Sequence, residues 1–104
     1  MSGRTSIEGQ QELVRVAMQH GRDGFFLKAV ALIKQVLKMN PGLSAEREAL
    51  AGWYLALSMN DEAATEYRVL LGQYRAVESA DGTARIVDAL GRLQASVDPD
   101  SEPN

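Results

Sequence analysis

Catalysis or metal binding needs titratable or nucleophilic side chains gathered in one place, and this chain of 104 residues carries few that qualify. It has no cysteine and one histidine, His20. The first fact excludes thiol nucleophiles, thiolate metal sites, disulfides and redox pairs. The second argues against a histidine-based metal cage or a conventional hydrolytic triad. Eleven of the fourteen acids are spread along the chain from Glu8 to Asp88, and the other three lie in 98–104. Glu46 and Glu48 are two apart on a predicted helix and so do not face each other. Asp61 and Glu62 open another, where acids favour the helix dipole. Gly21-Arg22-Asp23-Gly24 joins two predicted helices and follows no strand, so it is not a phosphate loop. The expectation is a non-enzymatic protein with no cofactor and no metal. His20 reads as a packed hairpin residue. Trp53 is expected either to pack under the fourth and fifth helices or to serve as a partly exposed aromatic anchor for a partner.

The elements that position these residues follow from composition and period. Eleven basic and fourteen acidic residues give a net charge of −3, against a general nucleic-acid binder and against a polybasic membrane-surface domain. The hydrophobic share is 45%, ordinary for one globular domain. The longest apolar stretch, Phe25 to Leu37, is interrupted by Lys28, Lys34 and Gln35, and the start lacks the apolar run of a secretory signal. These features predict a cytoplasmic protein. Residues 1–6 are small and polar, and 98–104 are acidic and proline-containing; both are expected to be disordered, leaving an ordered domain over 7–97.

Within that domain the apolar residues recur at helical spacing, which predicts an all-α fold of five helices. The first spans about 7–20, with Leu13, Val16, Ala17 and His20 inward and Thr5 and Glu8 as a possible capping box. The second, about 24–39, is expected to be the most buried, Leu27, Ala31 and Leu32 extending its apolar stripe most of the way round. Pro41 ends it. Ser44 is expected to cap the third, about 45–58, and Asn60 or Asp61 the fourth, about 61–76. Gly82 is expected to break the chain before a fifth helix over 83–96, with Ile86, Val87, Leu90 and Leu93 inward.

The chain is also similar to itself. At an offset of 34 residues Val16 matches Leu50, Ala17 matches Ala51, His20 matches Tyr54 and Ala29 matches Ala63. Ile33 matches Tyr67, Val36 matches Leu70 and Leu37 matches Leu71. Small residues at fixed positions let antiparallel helices approach to about 8–10 Å, with ring and branched residues filling the flanks. At these residues the chain resembles the tetratricopeptide repeat family, whose unit is a 34-residue helix–turn–helix. Repeat 1 would be about 10–43, with Gly24, Phe26, Lys28-Ala29 and Pro41 at family positions. Repeat 2 would be about 44–77, and 83–96 a capping helix. The chain departs from the family where an early tryptophan is usual, having Leu13 and Arg47, and the turn Ser58-Met59-Asn60 lacks glycine.

The resemblance implies antiparallel hairpins stacked as a short right-handed array, with a concave face that binds a peptide or an amphipathic partner helix. Carried over by position, the lining residues are Gln11, Val14, Met18 and Arg22, then Glu48, Gly52, Leu55 and Ala56. The cationic clamp that some members use on a chaperone's C-terminal carboxylate is missing, because Val14, Met18 and Ala49 stand at its positions. What remains is a mildly apolar groove suited to an adaptor, co-chaperone or secretion-type chaperone. Two units are few for such an array, so a homodimer or a structural homo-oligomerisation module is the alternative, and a small ligand-binding regulatory bundle a further one. If the alanines are the crossing points, Ala29→Leu or Ala63→Leu should each lower stability by about 1–3 kcal/mol through overpacking, measured by urea unfolding; no change at either would contradict the register.

Overall fold

A computed structural model describes the backbone of residues 2–101 and the side chains of 7–95. Among the described residues the chain is all helix: α1 (Ser2–Arg22), α2 (Phe26–Met39), α3 (Ser44–Ala56), α4 (Asn60–Ala76) and α5 (Ala80–Ser101). Each helix packs on the next along the chain. The radius of gyration is 15.3 Å and the extents are 62 × 32 × 18 Å. A compact chain of this length would have a radius near 13 Å, so the helices form a thin, elongated layer. The helical bounds reach beyond the expected 7–20 and 83–96. Thr5 falls within α1, and its side chain lies outside the described residues, as do those of the expected disordered ends.

Three turns share one backbone design. Gly24, Ser58 and Glu78 have φ of 84°, 60° and 55°. In each the next residue donates its N–H back to a carbonyl in the preceding helix: Phe25 to His20 at 2.8 Å, Met59 to Tyr54 at 2.8 Å and Ser79 to Tyr74 at 2.9 Å. This is the left-handed C-terminal cap that satisfies the last free carbonyls of a helix. The first two caps lie 34 residues apart, so the backbone repeats at the offset found in the side chains. The junction of α2 and α3 differs. Asn40 sits extended at φ −144°, ψ 82°, the geometry a following proline imposes, while its N–H still reaches the Val36 carbonyl at 2.9 Å.

The core follows the predicted faces. Ala17, Ala29, Ala51 and Ala63 are all fully buried. Ile33, Val36, Leu50, Leu70 and Ile86 fill the space around them, each contributing about 1.5–3 kcal/mol of burial. α2 buries five residues, Ala29, Val30, Ile33, Val36 and Leu37. Its stripe is narrower than expected, since Ala31 is exposed and Leu27 is 68% exposed. Val87 also faces out rather than in.

Several local expectations are corrected. Ser44 caps nothing; its hydroxyl lies 2.8 Å from Gln73 Oε1, joining α3 to α4. No side chain caps α4, whose N-cap position is Met59 rather than Asn60 or Asp61. Gly82 does not break the chain. It lies buried inside α5, where a Cβ would stand 2.5 Å from the Tyr74 ring, so its role is to let that ring lie against the helix backbone. The cap of α5 is Ser79, whose Oγ accepts the Gly82 N–H at 3.1 Å. Gly21 belongs to α1 for the same reason as Gly82: its missing Cβ makes room for the Trp53 indole, whose Nε1 would lie 2.5 Å away. Trp53 is therefore half-buried against α1, a neighbour the expected packing under α4 and α5 did not include.

Serine meets a steric cost of about 1–2 kcal/mol in the left-handed region that glycine avoids. Ser58→Gly should therefore raise stability by about 1 kcal/mol, and Gly24→Ala, whose new Cβ meets nothing within 4 Å, should lower it by a similar amount. Paired urea titrations measure both; equal stability of all three proteins would show that these turns carry no such strain.

Candidate functional site

A hollow of mixed character lies between α3 and α5, with α4 beneath. Its volume is about 330 Å³. Leu55, Tyr67, Ile86, Ala89 and Leu93 supply apolar surface, and Glu48, Arg85, Asp88 and Arg92 stand around them. Helical phase explains the grouping: Arg85, Asp88, Ala89 and Arg92 recur at three- and four-residue steps on one face of α5.

The charges there are paired. Arg85 Nε lies 3.0 Å from Glu48 Oε2 and its Nη2 3.1 Å from Oε1, a two-toothed contact joining α5 to α3. The Tyr74 hydroxyl donates to Glu48 Oε1 at 2.8 Å, and the Arg85 guanidinium lies 5.6 Å from the centre of the Tyr74 ring. Arg92 and Asp88 pair at 2.9 Å along α5. The hydrogen bond from Arg85 holds the Glu48 carboxyl below its ordinary value of 4.5, with Tyr74 assisting and partial burial opposing. Burial, then the Glu48 charge, pushes the Tyr67 phenol upward, so it stays protonated at neutral pH and can donate. An apolar floor within a self-neutralised border suits an apolar or amphipathic occupant better than a strongly charged one.

The expected groove is divided. Glu48 and Leu55 line the hollow just described. Gln11 and Val14 line another, of about 280 Å³, between α1 and α3 beside Ile7 and Leu43. Met18 joins neither of these; it is half-buried and packs against the core. Arg22 is exposed and donates to Gln19 at 2.8 Å. Gly52 and Ala56 are exposed on α3, and a Cβ on Gly52 would meet nothing within 4 Å. His20 is half-buried, with its ring edge-on to Phe25 at 6.1 Å. The positional carry-over stopped at the second unit and so left out Arg85, Ala89, Arg92 and Leu93. Their spacing on α5 was the signal that would have placed them.

Among the described residues no three histidine, cysteine, aspartate or glutamate side chains come together as a metal site, and no helix is long and apolar enough to cross a membrane. No family model matches the chain, and no curated protein matches it.

Because Glu48 is held below its ordinary value in the folded chain, its contribution is fully present above about pH 4.5 and is lost as pH falls through the lower folded value. Glu48→Gln should therefore be less stable than the parent at pH 7, with the gap closing on acidification. Urea midpoints at pH 7, 5 and 3 check this; a gap that is constant with pH would contradict it.

Proposed function

We propose that this chain is a non-enzymatic protein-interaction module of tetratricopeptide type, an adaptor or chaperone that binds a peptide or partner helix across α3 and α5. One observation carries the reading: an open apolar hollow, with Leu55, Tyr67, Ile86, Ala89 and Leu93 in its lining, lies across a helix pair whose charged groups already satisfy one another. Apolar surface of this kind gains from burial by another chain, and paired border charges lose little when a partner approaches. The repeated turn at Gly24 and Ser58 and the repeated buried alanines support two copies of a helical hairpin, and α5 takes the place of a capping helix. In this reading the array is right-handed, as in the family, and the protein acts in the cytoplasm.

A second reading rests on a different surface. Val77 and Val87 are 72% and 49% exposed, and Ala80, Ala84 and Val87 share a hollow at the junction of α4 and α5. That surface fits a homodimer in which the module serves structural assembly.

Selection of displayed peptides on the parent protein, followed by affinity measurement on Leu55→Glu/Ala89→Glu, tests the first reading. Binding should weaken at least about tenfold, the scale expected when a charge is forced into an apolar contact, while the circular dichroism spectrum is unchanged. Selected peptides that bind both proteins equally would remove the α3–α5 hollow from consideration. Sedimentation at micromolar concentration separates the readings, since a strict monomer excludes the second.

A further inference from the structure

The chain has three lysines, Lys28, Lys34 and Lys38, and all three lie in α2, a helix without a single acid in a protein whose net charge is −3. All three are exposed. The ion pairs formed among the described residues use arginines: Arg15, Arg47, Arg85 and Arg92. Lys28 Nζ lies over the Phe25 ring at 5.2 Å, whereas Lys34 and Lys38 are exposed and form no ion pair among the described residues. The outer face of α2 runs Leu27, Ala31, Lys34, Lys38, at steps of four, three and four residues. That spacing makes one straight seam on a helix, apolar in its first half and cationic in its second.

The cationic half borders a hollow of about 350 Å³ shared with α3 and α4, in which Leu37 and Leu50 lie among Lys34, Lys38, Arg47 and Glu66. Arg47 is anchored there: Nη1 donates to Glu66 Oε1 at 2.7 Å and Nη2 to the Pro41 carbonyl at 3.0 Å. The Arg47 Nε is buried and has no acceptor. Glu66 neutralises Arg47, so the two lysines give the hollow an uncompensated positive charge.

We infer that the outer face of α2, with the hollow behind Lys34 and Lys38, is a second docking surface, and that its occupant is an acidic amphipathic segment of a partner protein. Such a segment lays apolar residues on Leu27 and Ala31 and sets carboxylates against Lys34 and Lys38. Charge complementarity selects it: the rest of the molecule is net acidic, and α2 is the one helix of the five whose charged side chains are all positive. A membrane surface is the poorer fit, since polybasic lipid-binding segments use about 4–8 cations where the whole of α2 has three lysines and this face two of them. None of the residues in this hollow belongs to the α3–α5 hollow, so the inference stands apart from the groove reading.

The test is fluorescence anisotropy with a fluorescein-labelled helical peptide carrying leucine at the same four-three-four spacing and glutamate beside it. A matching peptide with lysine for glutamate, and phosphatidylserine vesicles, serve as the other probes. The parent protein should bind the acidic peptide saturably and the lysine peptide not at all. Lys34→Glu/Lys38→Glu should weaken binding at least about tenfold, Lys34→Gln/Lys38→Gln less, and Leu55→Glu/Ala89→Glu not at all. Raising salt should weaken parent binding. Absence of saturable binding by the parent protein, equal binding by the lysine variants, or binding of vesicles without binding of the peptide would each overturn the inference. The lysine side chains are exposed, and unchanged circular dichroism in the glutamine variant guards against loss of folding as the cause.

Discussion

The structure depends on the complete burial of four alanines, one on each of α1 to α4. Ala17 and Ala29 sit on the two helices of the first hairpin, Ala51 and Ala63 on those of the second, and none exposes any surface. Wherever an alanine stands, the larger side chains beside it can reach the opposite helix and share its apolar surface. Ile33 and Tyr67 stand four residues after Ala29 and Ala63, Val36 and Leu70 seven residues after, and all four are buried. The elongated shape follows, because each helix finds its burial against its sequence neighbours rather than around one central point.

Polar groups then fix the register that the apolar contacts leave soft. The Pro41 carbonyl accepts from both Arg47, at 3.0 Å, and Gln73, at 2.8 Å, tying the α2–α3 turn to α4. The residue after Arg47 on α3, Glu48, draws Tyr74 and Arg85 together and so ties α5 to α3 and α4. The second tie also shapes the α3–α5 hollow, so stability and the candidate binding surface share a residue. Glu48 is therefore better understood as a positioning group for Arg85 than as a free contact for a partner.

The sequence made the helices, their inner faces and the 34-residue offset legible, because alanine, ring and branched residues at fixed spacing have few other uses. Local chemistry was harder to read. Gly82 and Gly21 looked like breakers, yet each accommodates an aromatic ring from another helix, a three-dimensional demand that leaves no trace in neighbouring residues. Glu78 gave no hint of a left-handed turn, since its conformation is imposed by the helix ends on either side. Ser44 and Asn60 looked like caps, but each lies inside its helix, one residue past the N-cap positions Leu43 and Met59. At the candidate site Glu48 and Leu55 were legible from the first helix of the second unit, while the α5 contribution was not, because α5 has no earlier copy to be compared with. The cationic face of α2 was visible in the lysine positions, but the hollow it borders emerged only in the structure, which brings Arg47 and Glu66 together beside Lys34 and Lys38.

Solvent exposure of individual alanine methyls tests the central claim most directly. In protein labelled with carbon-13 at alanine methyls, a soluble gadolinium relaxation agent broadens the resonances it can approach. The account predicts that Ala17, Ala29, Ala51 and Ala63 stay sharp while the exposed Ala31, Ala56 and Ala84 broaden. Broadening of any of the four to the level of those three would contradict it.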